Sequence, residues 1–248
     1  MKTNNKIIIT AGGTSERIDN VRKITNSSSG KLGVTIANKI LERASKKVEK
    51  IYFICAKNTL KPNPNLKLEI IEVFDTAELK KTVETLLEKE EINYFIHAMA
   101  VSDYTVDFVT TAERLAKHIK ENQGQDIKEL ICTNEDNLTE NKISSYEDNL
   151  IIKLKRTPKI ISLIKTISPK TYLVGFKLLD GVTESKLIQV ATKLRDKNNC
   201  DLVVANDLSN IRNGHHKACI IKKNNEIIKA TDKEDIANKL VSEMFIND

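Results

Sequence analysis

The residues best suited to chemistry lie in the stretch 7–33, "IIITAGGTSERIDNVRKITNSSSGKLG", which holds four of the chain's eight glycines. Two of these glycines follow a short apolar run, and glycine lets backbone N–H groups turn towards an anion. The serines at 27–29 precede a helical pattern, and the N-terminus of a helix attracts negative charge. The stretch is therefore predicted to hold two phosphate-sized groups close together.

Two known phosphate-binding motifs do not account for this loop. A P-loop requires G-x-x-x-x-G-K-[ST], but Thr25 stands at the first glycine position and Leu32 at the last position. A dinucleotide fold requires G-x-G-x-x-G and an acidic residue after the second strand, where this chain has Lys57. No tyrosine is followed four positions later by lysine, which is the dyad of short-chain reductases. A nicotinamide-dependent reductase is therefore a weakened alternative.

Apolar runs alternate with helical patterns along most of the chain. "KIIIT", "KIYFICA" and "NYFIHAMAVSD" are predicted strands, and such continuous apolar runs are typical of a parallel sheet that is buried on both faces. Near the C-terminus, "KACIIKKNNEIIKAT" is predicted to be a hairpin that turns at Asn224-Asn225. The sequence therefore predicts a single α/β domain over 1–248, with a Rossmann-like, mostly parallel sheet flanked by helices.

The segment at about 105–149 breaks this alternation because it is polar and poorly periodic. A stretch of this length inside a domain is usually a functional lid or a small accessory lobe. We therefore expect a mobile lid or lobe here, and a disordered linker is the alternative.

Composition excludes several classes of protein. The net charge of +6 suits anionic ligands, but aromatic residues make up only 4% and tryptophan is absent, which disfavours a base-stacking surface. A nucleotide- or RNA-binding module is thus a second weakened alternative. The four scattered cysteines are typical of reduced cytosolic thiols, and no apolar run reaches the ~18 residues of a membrane span. A cytoplasmic location is expected.

Six motifs, in order along the chain, resemble the phosphopantothenate–cysteine ligase family. The resemblance covers nearly the whole sequence, and the first and last motifs are the most specific. The motifs are "TAGGTSERIDNVRKITNSSSGKLG" (10–33), "AMAVSDY" (98–104), "NKISS" (141–145), "LKRTPKII" (154–161), "VGFK" (174–177) and "DLVVANDL" (201–208).

The resemblance implies a ligase of coenzyme A biosynthesis. Members of this family join 4′-phosphopantothenate to L-cysteine through an acyl-nucleotide intermediate, and the motifs here resemble the bacterial kind, which uses CTP with Mg²⁺. It further implies a homodimer and a separate decarboxylase chain in the same pathway. No nucleic-acid or membrane partner is expected, because of the low aromatic content, the scattered charge and the lack of a long apolar run.

The resemblance also implies the residues of the site. Asn26 would hold the acyl-cytidylate, and Lys142 would close over the α-phosphate of the nucleotide. Asp103 would accept from ribose hydroxyls, and Phe176 would pack against the base. The implied binding residues are Ser28, Ser29 and Gly30 for the substrate phosphate, and Gly12, Gly13, Thr14, Asp103, Phe176, Lys193 and Lys197 for the nucleotide. No side chain is expected to ligate a metal.

The chain departs from the family pattern at two places. Ser144 and Ser145 stand where the family often has two further lysines after Lys142. Leu178 and Leu179 follow "GFK" where many relatives carry a glutamate. The charge of the lid and one contact with the base or ribose are therefore expected to differ from those of other family members.

Overall fold

An eight-stranded sheet forms the centre of the computed structural model, which describes residues 4–133, 138, 141–212 and 216–245. The strands are β1 (Asn5–Ala11), β2 (Ser15–Arg17), β3 (Lys23–Thr25), β4 (Val48–Ala56), β5 (Leu68–Val73), β6 (Tyr94–His97), β7 (Tyr104–Thr111), β8 (Leu150–Arg156), β9 (Tyr172–Leu179), β10 (Leu202–Asp207), β11 (Ala218–Lys222) and β12 (Ile227–Ala230). The helices are α1 (Lys31–Arg43), α2 (Thr76–Lys89), α3 (Ala112–Glu121), α4 (Ile127–Cys132), α5 (Ile160–Ile167), α6 (Glu184–Asn198), α7 (Leu208–Arg212) and α8 (Lys233–Phe245).

The order of the strands across the sheet is β12-β11-β10-β9-β6-β1-β4-β5. The six strands from β10 to β5 pair in parallel, and β11 and β12 add an antiparallel edge. This is the Rossmann order, in which the chain moves outward from β1 first on one side and then on the other. The α/β fold and the C-terminal hairpin predicted from the sequence are confirmed.

Helices cover both faces of the sheet because successive side chains of a buried strand point to opposite faces. Ile7 and Ile9 of β1 pack with α1 and α8, whereas Ile8 packs with α2, α5 and α6. Helix α1 approaches β1 so closely that a Cβ on Gly33 would lie 2.6 Å from the Cβ of Ala11. This contact holds the start of α1 beside the carboxyl end of β1.

The small lobe expected at 105–149 is present, and it extends to Arg156. Strands β7 and β8 form an antiparallel ribbon, and α3 and α4 lie between them in sequence. Val109, Leu138 and Ile143 are its small buried core, and Ile18 from the loop between β2 and β3 packs against them. Whether the lobe moves as a lid stays a prediction.

No helix in these described ranges is both long enough and apolar enough to cross a lipid bilayer.

Candidate active site

The carboxyl ends of β1 and β6 lie at the point where the strand order reverses. Ligands of open α/β sheets bind in the crevice at such a switch point. Beyond the two strands, Ala100 N donates to Gly12 O at 2.8 Å and Thr14 N donates to Ala100 O at 3.2 Å. Hydrogen bonds thus join the loop after β1 to the loop after β6 at the place where open α/β sheets bind their ligands.

A cavity of about 640 Å³ opens at this edge of the sheet. Its walls come from the loop before α1, the loop after β6, the start of α5, the end of β9, and α6 with the chain after β10. The lining includes the ranges 27–33, 97–103, 158–162 and 176–178, together with Leu194, Lys197, Asn198, Asn206, Leu208, Ile211, His216 and Lys233. Five of the six motifs identified in the sequence therefore meet at one cavity, although their members are up to about 200 residues apart.

The charge of the cavity wall is strongly positive. Five lysines line it, and Asp103 is the one carboxylate among the described lining residues. That carboxylate forms an ion pair with Lys159, so its charge is already balanced. The lining lysines are Lys31, Lys159, Lys177, Lys197 and Lys233. A wall of this composition favours a multiply charged anion.

The glycines of the first loop allow two chain segments to meet around Thr59. Gly12 and Gly30 have φ angles of 85° and 73°, in the left-handed region that favours glycine. A Cβ on Gly12 would lie 2.1 Å from Thr59 Oγ1, and one on Gly30 would lie 2.2 Å from Thr59 Cγ2. Only glycine fits both the backbone angle and the space at these positions.

The N-terminus of α1 opens into the cavity. Gly30 is the N-cap residue and has no side chain that could cap the helix. Gly30 N and Lys31 N donate long hydrogen bonds of 3.4 Å to the hydroxyls of Ser28 and Ser29, respectively, and the following N–H groups of the first turn keep their capacity for an acceptor. The three residues expected at the substrate phosphate thus lie together at one anion-binding feature.

Asn26 lies between the two loops of the switch point. Its Nδ2 donates to Ala100 O at 3.2 Å, and its backbone N donates to Thr14 O at 3.2 Å. Gly13 is packed against it so tightly that a Cβ there would lie 2.0 Å from Asn26 O. The expected catalytic amide is therefore held beside the cavity wall by backbone contacts on both sides.

Lys142 lies elsewhere, at the tip of the hairpin formed by β2 and β3. The residues on either side of it are anchored there: Asn20 N donates to Asn141 O at 3.0 Å, and Ile143 N donates to Asp19 Oδ2 at 3.2 Å. Hydrogen bonds from backbone N–H groups, first that of Arg22, lower the pKa of the Asp19 carboxyl. Lys142 itself is exposed, and neither it nor Asn26 is among the residues that line the cavity.

The remaining nucleotide candidates divide into two groups. Asp103, Phe176 and Lys197 line the cavity, and their contacts with a nucleotide stay predictions. Lys193 lies one helical turn earlier on α6, is exposed, and does not contribute to the wall. Its role in nucleotide binding stays a prediction.

Two histidines without a role in the sequence analysis line the cavity. His97 ends β6, and burial lowers the pKa of its imidazole to about 4. His216 Nε2 lies 2.9 Å from Asn206 Nδ2, and burial, helped by the charge of Lys233, lowers the pKa of His216 to about 4. Both imidazoles are therefore neutral at pH 7. In the sequence, the position of His97 at the end of an apolar run was the one feature that could have indicated its place at the cavity.

Asp207, at the end of β10, has a structural role. Its carboxylate accepts from the N atoms of Gly181, Val182 and Ser209 at 2.8–3.0 Å and from the Ser209 hydroxyl at 2.5 Å. These bonds, the Ser209 hydroxyl first, lower the pKa of the Asp207 carboxyl. They fix the loop before α6 against the end of β10.

This contact predicts a pH dependence of stability. A carboxyl whose pKa is lowered by folding stabilises the protein above its unfolded pKa of about 3.9, and the contribution is lost as the pH falls towards the folded value. We expect the Asp207→Asn variant to be less stable than wild type at pH 7 and the difference to narrow between about pH 5 and pH 2. Urea unfolding along this pH series is the measurement, with the exposed Asp148→Asn variant as the control. A constant difference across the series would contradict the expectation.

Among the described residues, no group of three or more His, Cys, Asp or Glu side chains is placed to hold a metal ion. The one carboxylate of the described cavity wall is paired with a lysine, so these residues do not fit a metal ion bound directly by protein.

The chain is similar to several known proteins. The family of the DNA/pantothenate metabolism flavoprotein C-terminal domain matches residues 2–136 and 109–246. The Coenzyme A biosynthesis bifunctional protein CoaBC of Thermococcus kodakarensis is 30% identical over 240 residues, which are 96% of this chain and 50% of that protein. The chain thus spans about half the length of the curated relatives it matches.

Two solved structures resemble the fold. The DNA/Pantothenate Metabolism Flavoprotein from Streptococcus pneumoniae superposes with a TM-score of 0.85 at 38% identity, over 98% of this chain and 100% of that one. The C-terminal domain of CoaBC superposes with a TM-score of 0.68 at 22% identity, over 100% of both chains. The second likeness concerns the fold alone.

Proposed function

The chain belongs to the family of the DNA/pantothenate metabolism flavoprotein C-terminal domain, and from this premise we propose that it is a ligase that joins 4′-phosphopantothenate to L-cysteine in coenzyme A biosynthesis. The relatives named CoaBC act in that pathway, as their name states. Because this chain matches about half of their length, the proposal concerns one of two activities of a bifunctional protein.

The observation that carries the proposal is the lysine-rich cavity at the switch point of the sheet. Two of the three substrates of such a ligase, a phosphorylated carboxylic acid and a nucleoside triphosphate, are polyanions. A wall with five lysines, one neutralised carboxylate and the N-terminus of α1 suits two such groups side by side.

In the proposed first step, the carboxylate of 4′-phosphopantothenate attacks the α-phosphorus of CTP. A bond forms between the carboxylate oxygen and phosphorus, and the bond to the β-phosphate oxygen breaks, so that pyrophosphate leaves. In this proposal the residues at 28–30 hold the phosphate of the substrate. Gly12, Gly13 and Thr14, the candidates for the nucleotide's phosphates, are buried and do not line the cavity, so their role stays a prediction. Fixed donors and cations accelerate this step because charge increases on the transferred group.

In the second step, the amine of L-cysteine attacks the acyl carbon of the acyl-cytidylate. The new C–N bond replaces the C–O bond, CMP leaves, and one proton passes from the nitrogen to solvent. We assign Asn26 the role of holding the intermediate; its amide Nδ2 donates to Ala100 O in the loop after β6, and its backbone N donates to Thr14 O in the loop after β1. An amide donor stabilises the acyl oxygen without adding net charge.

Mg²⁺ enters this scheme as the counter-ion of the triphosphate and thus as part of the substrate. Magnesium commonly binds through substrate phosphates and its own water molecules, with few protein ligands. The choice of CTP over ATP follows the bacterial character of the motifs and is part of the proposal.

The homodimer, the separate decarboxylase chain and the cytoplasmic location also belong to the proposal. Lys142 is exposed and outside the cavity, so it reaches an α-phosphate only if the lobe closes or a second subunit presents it. Either arrangement agrees with the expected lid and dimer.

Pyrophosphate release by the purified protein tests the proposal. We expect release with 4′-phosphopantothenate, Mg²⁺ and CTP, and formation of 4′-phosphopantothenoylcysteine once L-cysteine is added. Pyrophosphate release with ATP in place of CTP would support the ligase function and contradict the choice of CTP as the nucleotide. Folded protein that releases no pyrophosphate with either nucleotide would contradict the ligase and favour a nucleotide-binding module.

A further inference from the structure

His97 is a buried polar side chain that the proposed reaction leaves without a role. It is the last residue of β6, it is 9% exposed, and it forms part of the cavity wall. In the sheet it lies between Thr10 of β1 and Gly175 of β9. It therefore stands at the floor of the cavity, at the switch point itself.

The hydrogen bonds around His97 favour one tautomer of its ring. Nδ1 lies 2.9 Å from Thr10 Oγ1, and the same oxygen accepts from the backbone N of Met99 at 3.3 Å. Among the described residues, Nδ1 is the one acceptor paired with the Thr10 hydroxyl, and a hydrogen on Nδ1 would leave that hydroxyl proton without an acceptor. This pairing favours Nδ1 as the acceptor, with the hydrogen of the neutral ring on Nε2.

Nε2 is the ring nitrogen that is left for a ligand. It has no hydrogen-bond partner among the described residues, whereas Nδ1 is engaged by Thr10, and His97 is part of the cavity wall. An N–H group there can donate to a ligand.

The surroundings keep this imidazole uncharged. Burial lowers its pKa to about 4. The titratable side chains on the same described wall are the five lysines, His216 and Asp103, and the Asp103 carboxylate is engaged by Lys159. No free carboxylate is therefore present there to stabilise an imidazolium ion.

We propose that His97 is a neutral hydrogen-bond donor that presents Nε2–H to an anionic oxygen of the bound ligand. The identity of that ligand rests on the proposed function, in which the oxygen belongs either to the carboxylate of 4′-phosphopantothenate or to a phosphate of CTP. A neutral donor positions such an oxygen without transferring a proton to it, so the carboxylate stays a nucleophile.

Calorimetry tests this role. The ligands are 4′-phosphopantothenate, CTP with Mg²⁺ and inorganic pyrophosphate, and the proteins are the wild type, His97→Leu and His97→Gln. We expect His97→Leu to lose about tenfold in affinity for at least one of these ligands, while His97→Gln, whose amide retains a donor near Nε2, stays within about threefold of wild type. Whichever ligand is weakened identifies the source of the oxygen. Unchanged affinity of folded His97→Leu for all three would overturn the proposal.

Nitrogen-15 NMR of the His97 ring in wild-type protein is an independent arm that needs neither a variant nor activity. We expect a neutral ring protonated at Nε2 between pH 6 and pH 8. A ring protonated at Nδ1, or an imidazolium at neutral pH, would overturn the proposal. If the wild-type protein binds pyrophosphate but neither substrate, the proposed function is contradicted. The role of His97 as a donor is then decided by the pyrophosphate affinities and the NMR data.

Discussion

The Gly13→Ala variant is expected to lose pyrophosphate release by about 100-fold or more. A Cβ at residue 13 would lie 2.0 Å from the backbone oxygen of Asn26 and 3.0 Å from its carbonyl carbon. Backbone atoms cannot rotate away as a side chain can, so the loop that carries Asn26 must move. Misplacement of a positioning group by about 1 Å costs about 100-fold in rate, and such overpacking costs about 1–3 kcal/mol of stability.

Initial rates and urea unfolding of the same preparations measure both effects. Gly124→Ala is a suitable control, because a Cβ at Gly124 meets no atom within 4 Å; unlike Gly13, Gly124 has a positive φ, of 100°. It is expected to lose about 1 kcal/mol of stability from backbone strain and to keep its activity. A Gly13→Ala protein with wild-type rates would show that the Asn26 loop does not position the reaction.

Removal of the Lys142 side chain is expected to lower the rate of pyrophosphate release by about 100-fold. In the proposed first step its ammonium group offsets the charge that develops on the α-phosphate, and loss of one such donor typically costs 10²–10³ in rate. Lys142 is exposed in the structure, so Lys142→Ala is expected to fold normally. Lys120→Ala, an exposed lysine of the same lobe, is the control and is expected to keep the wild-type rate.

Asp19 is expected to act through Lys142 as a positioning residue. Its carboxylate accepts from the N atoms of Val21, Arg22 and Ile143, which joins the hairpin tip to the segment around Lys142. Asp19→Asn replaces one acceptor oxygen with a donor and is expected to lower the rate about tenfold. In the Lys142→Ala background the same change is expected to have little further effect, because the group that it positions is absent. Additive losses in the double variant would contradict this coupling.

Much of the fold was predictable because it follows from local patterns. The apolar runs that begin at Lys6, Lys50 and Asn93 became the buried strands β1, β4 and β6, since only a sheet covered on both faces buries such runs completely. The Asn224-Asn225 turn also formed, and Asn225 adopts a φ of 68°, which asparagine tolerates better than most residues. These features depend on neighbours within a few positions.

The lobe was predictable only in outline. Its polar composition separated it from the sheet, but the pairing of β7 with β8 joins residues about 40–50 positions apart. The alternation of these strands is weak because the lobe buries few side chains, among them Val109 and Ile143. A small core leaves little periodicity for a sequence to display.

By itself, the sequence determined that a parallel α/β sheet would carry a glycine- and serine-rich loop at the end of its first strand. Only the tertiary structure decided which distant side chains share that site: Lys197 and His97 line the cavity, whereas Lys193 and Lys142 do not. The spacing of residues predicts which face of a helix or strand a side chain occupies, but not which other element that face meets. That choice depends on the order of the strands and on close packing across the whole sheet, which no local pattern contains.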